Sequence, residues 1–295
     1  MNLAKCNEKY YINFLVATQQ SYSCLEAEKT EGRTNKAFAP DALNRLLLRR
    51  QPSSSPLWSE AQPHIDSQRG VLVVDDTVLD KPYANKIELA GKHWSGKHKR
   101  VVKGITLVTL LWTEGQSHIP CDYRIYDKLN DKMSQKDHFR SMITESQERG
   151  LSPECVLFDS WYSGLDKLKM IGHLGWTWLT RLKMNRRVNA DSCGLVPINQ
   201  VAIGTNGLNL HLKGYGWGKV FKIAAKNGSI EYWATNDLEM SLSRRCKFSR
   251  LCCKIEEYHR GIKQFVGIER SQVRSNRAQR NHIGLALPAF LRLER

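Results

Sequence analysis

The chain has 295 residues, 41% of them hydrophobic and 25% charged, a balance that suits a folded soluble protein and excludes wholesale disorder. No apolar run approaches the roughly 18–20 residues of a membrane span, and the start, MNLAKCNEKYY, lacks a signal-peptide apolar stretch. With 45 Lys and Arg against 29 Asp and Glu the net charge is +16, which points to a polyanionic partner, nucleic acid first.

Residues 1–65 read as helical. In AFAPDALNRLLLRRQ, Pro40 and Asp41 suit a helix start, and Leu43, Leu46 and Leu47 form an i, i+3, i+4 apolar stripe beside Arg45, Arg49 and Arg50. This unit either contacts DNA or caps the core. Gln51–Pro56 (QPSSSP) has the composition of a linker. Val71–Asp76 (VLVVDD) reads as a buried strand ending in acids, and Lys103–Thr113 and Ser117–Asp127 follow as two more strands. Ser134–Arg149 has helical spacing and stops at Gly150, ECVLFD is a fourth strand ending at Asp159, Leu165–His173 is helical, and Trp176–Leu182 is a fifth strand. Three strands and then helix, strand, helix, strand imply a mixed sheet with helices on its faces, an α/β fold. From Met184 to about Thr235, frequent Gly and short β-type runs (NLHLKG, KVFKIAA, EYWAT) read as an all-β insertion, and Arg250–Val266 follows as one long helix.

The charge is concentrated in two places. Residues 241–295 carry thirteen Lys and Arg against four acids, and Lys92–Lys103 (KHWSGKHKRVVK) carries five Lys and Arg, two His and no acid. Such clusters neutralise phosphates, and in this chain aromatic side chains (Trp94, Tyr258) sit among them. The eight cysteines include no C-x-x-C pair and the nine histidines no H-x-x-x-H pattern, so reduced thiols and no zinc or histidine metal centre are expected.

An acid at the carboxyl end of a buried strand costs free energy unless it is paired, hydrated or metal-bound. Here the pattern occurs at Asp75/Asp76 and again at Asp159, on the sheet edge where ligands gather in open α/β folds. Hard oxygen ligands beside DNA favour Mg²⁺ or Mn²⁺, and a third acid is then wanted. In KIEEYHRGIKQFVG, at about 100° per residue, Ile255, Tyr258, Ile262 and Val266 share one face, with Glu256 at its edge and Arg260 and Lys263 on the same side. Glu257 points toward solvent. Glu256 is therefore the carboxylate aimed at the sheet edge; the plainer alternative is an amphipathic helix laced with ion pairs.

The elements Asp75-Asp76-Thr77, LFD-S-W-Y (Asp159, Ser160, Trp161, Tyr162) and IEEYHRGIKQ together resemble the DDE transposases of bacterial insertion sequences, over roughly residues 70–283. The last stretch is the most specific, with six residues between Glu256 and Lys263 as between the glutamate and lysine of that family. The resemblance implies a ribonuclease H-like core with a β-rich insertion between the second Asp and the Glu. The division it gives is an N-terminal helical region (1–65), a catalytic core in two parts (66–183 and 236–295) and the insertion (184–235). It implies Asp76, Asp159 and Glu256 as catalytic, metal-binding acids, with Asp75 as the alternate to Asp76. It further implies two Mg²⁺ or Mn²⁺ ions, and phosphate contacts from Lys263, Arg260, His259, Lys97, Lys99 and Arg100. Ser249 and Cys252 stand where the family has an aromatic residue and an arginine, and Cys253 where Trp is common. The function implied is DNA cleavage and strand transfer at the terminal inverted repeats of the protein's own element and into target DNA, by a homodimer in the synaptic complex, in the cytoplasm at the nucleoid. The alternative is a decayed, non-catalytic DNA-binding derivative.

Overall fold

A computed structural model describes residues 6–18, 41–192, 194–224 and 228–295. Pro40, Cys24 and Cys193 lie outside them. Helices α1 (Glu8–Ala17), α2 (Ala42–Arg49) and α3 (Ser55–Ala61) come first. The stripe Leu43, Leu46 and Leu47 is buried as its spacing predicts. The linker expected over Gln51–Pro56 is shorter than read, because Ser55 and Pro56 already belong to α3.

The sheet begins with β1 (Val71–Asp80), β2 (Gly91–Ser95), β3 (Arg100–Thr113) and β4 (Ile119–Ile125). The short helix α4 (Lys128–Asp131), α5 (Gln135–Glu148), β5 (Cys155–Phe158), α6 (Leu165–His173) and β6 (Trp178–Leu182) follow. Ser134 opens α5 with a capping box, its hydroxyl bonding the Asp137 amide while the Asp137 carboxylate returns to the Ser134 amide. Next are β7 (Arg187–Asn189), β8 (Val196–Pro197), β9 (Leu208–Leu212), β10 (Gly216–Ala224) and β11 (Ile230–Thr235). Helices α7 (Leu242–Cys252), α8 (Lys254–Gln264) and α9 (Asn276–Glu294) close the chain.

The eleven strands of the described residues join one mixed sheet in the order β2-β3-β1-β5-β6-β11-β10-β9-β7-β8, with β4 also paired to β3. β1 and β3 are antiparallel, and β1, β5 and β6 run parallel. The expected β-rich stretch is present, and it extends the main sheet through the antiparallel pairing of β11 with β6. Two expectations are corrected. First, β1 does not end at its acids: its partner β3 is long enough to pair every residue from Val71 to Asp80, whereas the parallel ladder with β5 stops at Val74. Second, the single helix expected over Arg250–Val266 is broken at Cys253, and its first part starts earlier, where the Ser241 hydroxyl caps the amide of Arg244.

VLVV on β1 and CVLF on β5 are buried on both faces, the pattern of central parallel strands. One face, through Val71, Val73, Cys155, Leu157 and Leu179, packs on α1, α2 and α7–α9. The other, through Leu72, Val74, Val156, Phe158 and Trp178, packs on α5 and α6. Buried polar groups fasten α9 to the N-terminal helices. His282 Nδ1 lies 2.8 Å from the Tyr11 hydroxyl and its Nε2 3.1 Å from the Ile268 carbonyl. Asn281 donates to the carbonyls of Leu47 and Arg50, satisfying the end of α2. No helix among the described residues is long and apolar enough to cross a membrane.

Candidate active site

Asp75 and Asp76 are consecutive on β1, so their side chains leave opposite faces of the sheet. The face of Val71 and Val73 is Asp75's, under α8, and the face of Leu72 and Val74 is Asp76's, against α5 and α6. The ladder pairs Val74 with Phe158, so the next position along sets Asp75 beside Asp159. On β6, Phe158 pairs with Thr180, so Arg181 is the next neighbour of Asp159. Arg181 pairs in turn with Trp233 of β11, and Trp233 with Phe221 of β10. One row across five strands therefore runs from two carboxylates through a guanidinium to two aromatic rings.

Helix α8 lies over the start of that row because Ile255, Tyr258 and Ile262 are buried on the face that the spacing predicts, with Val266 buried just past the helix end. Glu256 is at an exposed position on it. Burial holds the Asp75 carboxyl well above the usual range, and the charges of Asp76, Asp159 and Glu256 push it further. Asp159 is also raised by burial, opposed by the Trp161 amide, which donates to its Oδ1 at 2.9 Å, and by the charges of Arg181 and Lys183. Asp76 is lifted to about 6, chiefly by burial, although the Tyr162 hydroxyl donates to its Oδ1 at 2.9 Å and the Gln135 amide to its Oδ2 at 3.3 Å.

A neutral thiol, a neutral imidazole and an ion-paired guanidinium surround the two aspartates. Cys252 faces Asp75 and Asp159, and burial pushes its thiol up to about 12, so it stays protonated. His259 is buried, with Nε2 2.9 Å from Thr109 Oγ1 and Nδ1 4.0 Å from Asp75 Oδ2; desolvation lowers it to about 3 and keeps it neutral. Arg181 donates to Glu231 at 3.1 Å and lies over the Trp233 ring, whose Nε1 donates to the same carboxylate at 2.9 Å. Beside Asp159 opens a cleft of about 340 Å³ whose lining includes Ser160, Arg181, Lys183, Met184, Ile230 and Glu231.

The residues expected to touch phosphate divide in two. Lys97, Lys99, Arg100 and Arg260 are exposed, the first three at the tip of the β2–β3 hairpin. Lys263 is engaged inside the protein, donating to the Val78 carbonyl at 2.7 Å and pairing with Glu269 at 2.9 Å. His259, in its contact with Thr109, is likewise turned to the sheet. Sequence reasoning missed Arg181 and Lys183. Their signal is the run Trp178–Lys183 (WLTRLK), where a guanidinium interrupts an apolar strand at the position neighbouring the second aspartate.

Asp75, Asp159 and Glu256 offer hard oxygen donors whose mutual repulsion a divalent cation would relieve, so the donor chemistry fits such an ion. Among the described residues, no three His, Cys, Asp or Glu side chains already converge as an ion-holding group.

Residues 31–204 match the family described as DDE superfamily endonuclease. No curated protein sequence matches the chain. Among solved structures, the cryo-EM structure of the piggyBac transposase synaptic complex with hairpin DNA is similar, with a TM-score of 0.54 at 8% identity over 97% of this chain. The chain spans 66% of the length of that transposase chain. The matched stretch covers more than half of the sequence and contains Asp75, Asp76 and Asp159, and the chain belongs to the DDE superfamily endonuclease family.

Proposed function

We propose that the protein is a transposase that cuts and joins DNA strands at the ends of its own insertion sequence, using Asp75, Asp159 and Glu256 to hold Mg²⁺ or Mn²⁺. The observation that carries this is the register of β1 and β5, which sets two desolvated carboxylates side by side under a third acid on α8. Asp75 takes the role that the motif alone gave to Asp76, and Asp76 supports the site from the opposite face through Tyr162 and Gln135. The net charge of +16 and the DNA-bound state of the similar transposase support double-stranded DNA as the partner, with terminal inverted repeats as its ends. A homodimer in the synaptic complex and two metal ions per site belong to the same reading.

In strand cleavage a water oxygen, or in transfer a 3′-hydroxyl, attacks phosphorus, and the bond to the 3′ oxygen of the cut strand, or to the corresponding oxygen of the target, breaks. A bound divalent cation would activate the attacking oxygen and stabilise the leaving one. The chain's residues do the positioning. The Trp161 amide fixes the rotamer of Asp159. Arg181, braced by Glu231 and Trp233, and Lys183 hold the phosphate backbone in the adjoining cleft. Neutral Cys252 and His259 line the floor without adding charge.

The test is supercoiled-plasmid nicking with Mg²⁺ or Mn²⁺ by wild type, Asp75→Asn and Asp76→Asn. Loss of at least a hundredfold in Asp75→Asn with a smaller loss in Asp76→Asn supports the assignment; the reverse order returns the first role to Asp76. DNA binding without cutting by wild type would favour the decayed derivative, a reading motivated by Cys252 at a position where the resemblance expects arginine.

A further inference from the structure

The turn that follows β5 separates two environments. Ser160 lines the cationic cleft, whereas the next residue, Trp161, is half exposed beside Lys136 of α5. Its neighbour Tyr162 is fully buried, stacked on Phe139 with centroids 5.1 Å apart and bonded to Asp76, so the backbone of the turn is fixed and the indole is held outward. The Trp161 amide is simultaneously bound to Asp159. Lys136 approaches the indole at 4.9 Å from the ring centroid and is itself exposed. Lys136 sits in the first turn of α5, next to Gln135, which reaches Asp76. A half-exposed indole with an ammonium over the ring, anchored to the same peptide that orients a candidate metal ligand, matches one chemical unit: a base to stack on the side the ammonium leaves open and a phosphate for that ammonium to pair.

We infer that Trp161 and Lys136 form a nucleotide subsite, in which the indole stacks a base of the DNA strand held at the carboxylates and Lys136 pairs with that nucleotide's phosphate. The subsite rests on the reading that Asp75, Asp159 and Glu256 cut DNA. Stacking on an aromatic ring is tolerant of sequence, because every base has a π face, so the subsite sets the register of the strand and leaves base choice to other elements.

Oligonucleotides carrying 2-aminopurine at successive positions, bound to the full chain in Ca²⁺, test it by fluorescence quenching, with cutting measured separately in Mg²⁺. Wild type and Trp161→Phe should quench at one position. Trp161→Ala should lose that quenching and bind about tenfold more weakly, within the range for one stacked base. Lys136→Ala should lower the salt dependence of binding by about one counterion. Asp159→Asn should quench as wild type and fail to cut. Quenching and affinity unchanged in Trp161→Ala, or no quenching at any position in wild type, would overturn the subsite. Wild-type quenching without cutting in any metal would leave the subsite standing and overturn the nuclease reading.

Discussion

Asp76 shows how much the two faces of one strand differ. Burial raises its carboxyl from 3.8 to about 6, against the opposing hydrogen bonds from Tyr162 and Gln135. The folded chain therefore binds this proton more tightly than the unfolded chain, and the group's effect on stability becomes less favourable as pH rises between those values. Asp76→Asn keeps an acceptor for the Tyr162 hydroxyl and removes the charge. It should be more stable than wild type above about pH 6, by a margin that shrinks to nothing below 3.8; denaturant unfolding across that window measures it, and a margin independent of pH contradicts the placement. His259 and His282 work in the opposite direction. Desolvation lowers both to about 3, so the stability that their neutral burial allows is present above their ordinary value of 6.5 and is lost as pH falls toward about 3. Asp75 is repelled by three other carboxylates, so Mg²⁺ should raise the Tm of wild type and of Asp76→Asn, but much less that of Asp75→Asn.

At the scale of elements, α8 carries Glu256, the third acid of the proposed site, and its approach to the core depends on Gly261. A Cβ there would lie 2.5 Å from Cε2 of the buried Phe290 on α9. Gly261→Ala should destabilise the protein by about 1–3 kcal/mol and slow DNA cutting by displacing Glu256; unchanged unfolding and cutting would mean that α8 does not rest on this contact. The β2–β3 hairpin acts at a distance. Its tip reaches Asp80, which His98 contacts at 2.9 Å, and five residues of strand set that point about 17 Å from Asp75. Replacing Lys97, Lys99 and Arg100 with Ala should weaken DNA binding and flatten its salt dependence by about three counterions, leaving the cutting rate at saturating DNA nearly intact. A rate loss without an affinity loss would place these side chains at the chemistry instead.

Across the whole molecule, what could be read locally is what local chemistry decides. VLVV and CVLF announce central strands because a sheet covered on both faces needs continuous apolar runs, and Ser134 with Asp137 announces the start of α5 because the capping box is a four-residue device. The continuation of β1 past its acids was not legible, since the length of β3, more than twenty residues away, decides it. Arg181 was hidden for the same reason: it joins the site only through the register of β5 with β6. Lys263 has the spacing of a phosphate contact, yet the carbonyl of Val78 and the carboxylate of Glu269 claim it. The motif Asp75-Asp76-Thr77 supplied two candidates for one role, and the pleat of β1 sets them on opposite faces of the sheet.

The most direct measurement is cutting of duplex DNA bearing the flanking element ends, in Mg²⁺ and in EDTA, by wild type and Asp159→Asn at equal DNA occupancy. Asp159 sits between Asp75 and Arg181 in the row across the sheet, so its replacement removes a carboxylate while leaving in place the side chains proposed to hold phosphate. Cutting by wild type that requires the ion and falls at least a hundredfold in Asp159→Asn is the expected result. Equal cutting by both proteins, or cutting that persists in EDTA, would contradict a carboxylate-held metal at this position.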